Sequence, residues 1–447
     1  MGCSNPFKKT PPSENGVEDP EKNGEDPGED PGDTPGDGSS AIDPTDNRLT
    51  ADVTLVPQKA AAAITFAVIR QGDLWLGIDS TRLWRQTNSG DVADIVWAPD
   101  GHALAFLTTP TLDAYTRNLY TLVPGSAPVL IDQEVIAFYA WQNNRGFLWN
   151  PDSSQLAYGK AGASQIRVVG PGEAKGAFLV DSQLEQGPYW LSADCLVYSS
   201  AEERPSLVIV NTMGDIIKTI PDTAAPYPIT GGILAASGEY DPDGIMFSFY
   251  YTGLVHTGID GANLSRVHDE NPDFSLIAWN PQEAARPEDA KYFAISNADT
   301  LFLQKYAGQT KAYPHKVDLL TQDVYLTFSE FSYPFWFAWA PDGKSLAALP
   351  FRFSQAGGFG EQAGKWDLVL VDRAGNSQTL LENIYSVSGN EHPVPFKIMP
   401  LNWSPTGSHI NYLVERNGGG YNLWQIKIAD QSISLFLENS GLPEYRP

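Results

Sequence analysis

The chain has 447 residues, 42% of them hydrophobic and 11% aromatic, with 40 Gly and 34 Pro. At roughly 100–200 residues per domain this allows two or three domains, or one large all-β unit. Many aromatics beside many turn-formers point to short strands joined by tight turns and argue against a helical bundle. Lys+Arg 29 against Asp+Glu 54 leaves a formal charge of −25, which speaks against nucleic acid, a partner that needs a basic footprint.

Residues 1–50 hold 12 acidic and 4 basic residues and a run of turn tetrads: Glu25-Asp26-Pro27-Gly28, Glu29-Asp30-Pro31-Gly32, Asp33-Thr34-Pro35-Gly36. Proline lacks a helix donor, glycine is permissive, and the carboxylates repel one another, so residues 1–50 are expected to form a disordered, extended tether. About 40 such residues reach ~35 Å root-mean-square. The start, Cys3-Ser4-Asn5-Pro6 followed by polar acidic sequence, resembles a mature bacterial lipoprotein, in which the first cysteine is lipidated after a signal peptide is removed. The resemblance implies acylation of Cys3, anchoring to a bilayer and an extracytoplasmic place in the cell envelope. The apolar signal segment is absent, and Met1-Gly2 is expected to be an added start. Myristoylation at Gly2 fits less well, because its pattern wants Ser or Thr where this chain has Pro6.

From residue 51 to 447 one unit recurs: an apolar strand, Trp-x-Pro-Asp-Gly, then another apolar strand. The clear copies are Trp97-Ala98-Pro99-Asp100-Gly101, Trp149-Asn150-Pro151-Asp152, Trp339-Ala340-Pro341-Asp342-Gly343 and Trp403-Ser404-Pro405-Thr406-Gly407. Weaker copies surround Trp190, Tyr240-Asp241-Pro242-Asp243-Gly244 and Trp279, and the most degenerate is Leu55-Val56-Pro57-Gln58-Lys59. Pro sets φ and Gly takes positive φ, so each motif reads as a turn. Trp97, Trp149, Trp190, Trp279, Trp339 and Trp403 are spaced 52, 41, 89, 60 and 64 residues apart, and each reads as a core wedge between sheets. Third strands are expected at Asp73–Ile78, Asn118–Leu122, Leu207–Val210, Asp367–Asp372 and Asn422–Ile426. Fourth strands are expected at Gln378–Leu381 and Ile433–Phe436. Four short strands per 40–60 residues define a β-propeller of four-stranded antiparallel blades; counting the Leu55 unit gives eight, the favoured number, and discarding it gives seven as the alternative.

These Trp-x-Pro-Asp-Gly turns, followed by a strand ending in Ala-Phe or Ala-Tyr, resemble the TolB-type, WD-like β-propeller family over about 390 residues. TolB itself carries an α/β domain where this chain has its tether. The resemblance implies the fold and leaves the function open.

The chemistry-bearing residues are sparse. No Gly-x-Ser-x-Gly elbow of a serine peptidase is present. The six histidines are scattered, with His102 and His409 flanking turns at near-equivalent places. Asp100, Asp152, Asp243 and Asp342 lie one to a blade, so they cap turns and cannot converge on calcium. Cys3 and Cys195 make no zinc motif or disulfide framework. Neither a metal nor another cofactor is expected. What remains is a funnel at one end of the central channel, for which the residues just upstream of each Trp are the candidates: Asp94, Arg145, Tyr189, Asp273, Tyr333 and Lys397. Insertions at Gln282–Lys291 and Phe351–Trp366 add surface. The leading expectation is a non-catalytic, monomeric propeller that binds a protein or peptide of the cell envelope. A glycan binder or glycosidase using Asp94 and Asp273 is the alternative, and a structural spacer in a surface assembly is a third.

Overall fold

A computed structural model describes Leu49 and residues 53–447, apart from 110–115, 137–145, 161–164, 171–176, 182–183, 201–204, 230–231, 241–248, 259–264, 269–276, 280–290, 298–299, 307–312, 318–335, 350, 354–363, 373–375, 388–400 and 417–419. The first 48 residues, and with them Cys3, lie outside this set.

The described chain is built of strands, with a single one-turn helix at Gln58–Ala61. The described strands form eight antiparallel blades in sequence order, spanning 92–136, 147–181, 184–221, 223–268, 277–317, 336–387 and 401–437 after a first blade at 66–85; each has four strands except that at 336–387, where the short Phe351–Phe353 makes a fifth. The second and third blades touch through one bridge, Val135 to Lys160. The innermost strands are Val92–Trp97, Phe147–Trp149, Leu184–Trp190, Thr223–Ile229, Ile277–Trp279, Trp336–Trp339 and Leu401–Trp403. This is a β-propeller, with eight blades among the described residues.

The first blade is closed from the far end of the chain. Phe66–Arg70, Asp73–Gly77 and Leu83–Arg85 supply its outer three strands, and Glu444–Tyr445 supplies the innermost. Tyr445 pairs with Phe66 as Trp97 pairs with Leu104 and Trp403 with Ile410. Arg446 then donates its backbone N–H to Thr65, the bond that Ala98 makes to Ala103 and Ser404 to His409. Tyr445-Arg446-Pro447 is therefore the missing Trp-x-Pro of the first blade. This corrects the expectation for Leu55–Lys59: Pro57 caps the short helix, whose Ala60 N–H bonds the Pro57 carbonyl at 2.8 Å. A second correction concerns Tyr240. It ends the second strand of its blade, Gly232–Tyr240, and the innermost strand is the earlier Thr223–Ile229; Pro242-Asp243-Gly244 lies outside the described residues. Leu49 is buried among Val56, Ile64 and Leu74, and its carbonyl accepts the Asn88 N–H at 2.7 Å.

The Trp-x-Pro-Asp-Gly turns are physically alike. Gly101, Gly343 and Gly407 have φ of 70°, 63° and 68°, and Ser153 takes 64° at the same place. Each of these residues donates back three positions, to Ala98, Ala340, Ser404 and Asn150. The carboxylates of Asp100, Asp152 and Asp342 accept the N–H two residues on, from His102, Ser154 and Lys344, each at 3.0 Å. Partial burial pushes the Asp100 carboxyl up, but the His102 backbone and ring outweigh it and leave the group below its ordinary value. His102 sits one register position before the equivalent of His409, and its ring lies 2.5 Å from the Asp100 carboxylate. Among the described residues no group of three potential metal ligands comes together.

Apolar clusters fill the space between neighbouring blades. Leu74, Leu76 and Ala67 of the first blade pack on Ile95, Trp97 and Phe106 of the second. Val96, Leu107 and Leu119 meet Phe147, Trp149 and Tyr158 of the third. Phe66 and Val68 meet Leu413, Leu423 and Leu437 of the eighth, which seals the ring at the seam. The Trp side chains reach backwards: Trp97 Nε1 donates to Glu444 O at 3.0 Å, Trp190 to Leu148 O at 2.8 Å and Trp403 to Ala338 O at 2.9 Å. Each acceptor is the residue just before the aromatic of the preceding blade, so the same bond ties three pairs of innermost strands.

Candidate functional site: the channel mouth at the closing seam

The innermost strands face the central channel edge-on, so backbone N–H and C=O groups line it beside the side chains that lean over the edge. The Trp bonds satisfy one such carbonyl where they occur. At the end of the channel opposite the Pro-Asp-Gly turns lies a cavity of about 770 Å³, a size typical of ligand pockets. It opens between the eighth, first and second blades and reaches Leu148 on the third.

Three pieces of chain make its rim. The loop 438–443 runs from the last outer strand to the closing strand. On one side it meets the 70–72 hairpin, where Gly441 N–H bonds Ile69 O at 2.8 Å and Gln71 N–H bonds Asn439 O at 3.1 Å. On the other side Ser440 N–H bonds Tyr421 O at 2.8 Å, and Asn439 N–H bonds the Asn422 side chain at 3.1 Å. Arg70 Nε adds a bond to Glu438 O at 3.0 Å while its guanidinium lies over Trp75. Two non-glycine residues at this rim, Gln71 and Asn439, have φ of 55° and 51°. Such residues persist only where the surroundings hold them, and they cluster at functional sites. Gly72 is obligatory, since a Cβ there would lie 2.2 Å from Gly90 O.

The floor is held by a chain of amides. Gln425 Nε2 donates to Asn411 Oδ1, Asn411 Nδ2 to Asn402 Oδ1, and Asn402 Nδ2 to Pro443 O, each at 2.7 Å. Asn411, wholly buried, also donates to the Tyr445 hydroxyl at 3.1 Å. Burial pushes the Tyr445 phenol above its ordinary value. The wall on the second blade carries a bulge between Val92 and Asp94. A bulge re-aims the residues beside it; here Ala93 is exposed, and Asp94, half-buried, accepts the Ile95 N–H at 2.8 Å.

Of the six funnel candidates, Asp94 lines this cavity. Tyr189 is buried against Val197, Leu207, Ile209 and Ile220. Arg145, Asp273, Tyr333 and Lys397 lie outside the described residues. The sequence reading missed Gln71, Tyr421, Asn439 and Glu444, which come from hairpins and the closing strand. The one signal for Glu444 was the echo of Trp-x-Pro in Tyr445-Arg446-Pro447.

Neither a family model nor a curated protein matches the chain. Solved structures do. The dihydro-heme d1 dehydrogenase NirN in complex with DHE is 11% identical over 87% of this chain and 76% of its own, with a TM-score of 0.50. The β-propeller domain of the Trilobed protease from Pyrococcus furiosus is 11% identical over 78% of this chain and 98% of its own, with a TM-score of 0.43. The Pyrococcus horikoshii acylaminoacyl peptidase is 10% identical over 78% of this chain but only 52% of its own, with a TM-score of 0.44. At these identities the likeness is one of fold, and the class it defines is the β-propeller.

Proposed function

We propose that this propeller is a non-catalytic binding module, anchored outside the cytoplasm through Cys3 and its acidic tether, that receives a protein or peptide in the channel mouth between the eighth, first and second blades. The observation that carries the reading is the cavity with its clamped rim. A site whose loops are already hydrogen-bonded in place loses little entropy on binding. Tyr421 is the only aromatic side chain among the described lining residues, which offers a sugar little stacking surface and favours a peptide over a glycan. The likeness of Cys3-Ser4-Asn5-Pro6 to a lipoprotein start and of the repeats to TolB-type propellers supports an envelope setting.

The test is capture from envelope extract with the full chain as bait. Ala93→Trp fills the cavity, and Lys344→Trp, on an exposed Pro-Asp-Gly turn at the other end of the channel, is the control. A partner kept by the native chain and Lys344→Trp but lost by Ala93→Trp is the expected result. A partner kept by all three would place binding elsewhere.

A further inference from the structure

One stretch of chain, 438–447, both walls the channel mouth and closes the ring. Its residues 439–444 line the cavity, and Glu444–Tyr445 completes the first blade. This closing strand is anchored unlike the others. It pairs at two positions, Tyr445 with Phe66 and Glu444 with Ala67, and Ser440 adds a single bridge to Arg70. Trp97, Trp149, Trp190, Trp339 and Trp403, at the ends of five other inner strands, are 4–8% exposed. Tyr445, at the matching place, is only half-buried, and so is Leu442.

Hydrogen bonds spread the attachment over three blades. Ser440 N–H reaches Tyr421 O on the eighth at 2.8 Å, Gly441 N–H reaches Ile69 O on the first at 2.8 Å, and Arg446 Nε reaches Gly101 O on the second at 2.6 Å. The centre is held too, where Asn402 Nδ2 donates to Pro443 O and Trp97 Nε1 to Glu444 O. A segment with few buried apolar contacts opens below the free energy of global unfolding. Asn439 and Gln71, with φ of 51° and 55°, lose their strain when this one leaves. We propose that residues 438–447 form a strap that docks and releases as one unit, so that the ring closes and the cavity wall is built in the same event. The docked strap is the resting state. An occupant of the cavity, whatever its chemistry, favours the docked strap by mass action, and by linkage the docked strap favours the occupant.

Native-state hydrogen exchange on the full chain, resolved to single amides in rising guanidinium, tests the strap. The reporters are Ser440, Gly441 and Arg446 on the strap and Gln71 opposite it, whose N–H bonds Asn439 O. The controls are Ala98 and Ser404, which make the bond corresponding to that of Arg446 in the second and eighth blades. The four reporters should share one opening constant, at least tenfold larger than that of the controls, with a shallower denaturant dependence. Arg446→Ala removes side-chain bonds at the end of the channel far from the cavity. It should nonetheless speed exchange at Ser440, Gly441 and Gln71 by one common factor of ten or more and leave Ser404 unchanged. If that variant does not fold, Arg446→Lys, which keeps the charge but not the fork of donors, takes its place with the same common-factor expectation. Rim amides that keep their native rates in the Arg446 variant would show that the two ends move separately. Strap amides that exchange only together with the controls would show that the segment leaves only in global unfolding. Either result overturns the proposal.

Discussion

The backward hydrogen bond of the repeat tryptophans can be weighed against an internal control. Trp190 and Trp403 donate to carbonyls of the preceding inner strand at 2.8 and 2.9 Å. Trp149 occupies the same place in its blade, yet its Nε1 is buried without a partner. All three rings are buried to a similar degree, 6–8% exposed. Replacement by phenylalanine removes the indole N–H and part of the ring. The loss of apolar contact is shared by all three. At Trp190 and Trp403 a hydrogen bond of about 1 kcal/mol goes as well, and a carbonyl is left to find water. At Trp149 an unsatisfied buried donor is removed, which offsets part of the packing loss. Trp190→Phe and Trp403→Phe should therefore each destabilise by ~1–2 kcal/mol more than Trp149→Phe. Guanidinium unfolding of the three variants measures this, with the slopes compared to ensure that the same surface is exposed. If Trp149→Phe proves equally or more damaging, the bond is not what ties the inner strands.

Arg446 closes the seam by donating to Gly101 O at 2.6 Å and Ala61 O at 2.9 Å while lying over the Trp97 ring. Two bonds and a cation–π contact make Arg446→Ala cost about 2–3 kcal/mol by the same unfolding assay. Gly101→Ala should exceed Gly407→Ala, because both carry positive φ but only at Gly101 would a Cβ meet the Arg446 side chain, at 3.0 Å. Asp132 is buried between the second and third blades, accepting from the Tyr158 hydroxyl and Lys160, each at 2.8 Å, with Arg167 at 3.6 Å. Asp132→Asn removes the buried charge these cations share, leaving Lys160 only the exposed Glu134 carboxylate at 3.9 Å, and should cost roughly 3 kcal/mol. Burial pushes the Tyr412 phenol up to about 12. A raised pKa means stability present below the unfolded value of about 10 and lost as pH climbs toward the folded one. Alkaline unfolding should therefore be delayed in Tyr412→Phe between about pH 10 and 12, as read by the unfolding midpoint at each pH; equal midpoints would contradict the burial argument.

The repeats were legible because the turn chemistry is local. Pro99, Asp100 and Gly101 each do a job within four residues, and so do Pro341, Asp342 and Gly343. The closing strand was not legible for the opposite reason. Tyr445 meets Phe66 across almost the whole chain, and no local signal marks a pairing of that span. Pro57, standing one repeat length before Pro99, offered a plausible substitute. Tyr240 misled differently: a Pro-Asp-Gly motif in a sequence does not say which strand of a blade precedes it, and here that strand is the second, Gly232–Tyr240. The site followed the same division. Asp94 could be named because it precedes a repeat tryptophan, whereas Gln71, Tyr421 and Asn439 reach the cavity through hairpin and loop positions outside the repeat motif.

The central claim is that the partner enters the channel mouth at the seam. Site-specific photo-cross-linking in intact cells addresses it, with a photoreactive amino acid placed at Ala93 in one strain and at Lys344 in another. The account predicts one discrete cross-linked species from Ala93 and none from Lys344. A discrete species from Lys344 and none from Ala93 would place binding on the opposite face and contradict it.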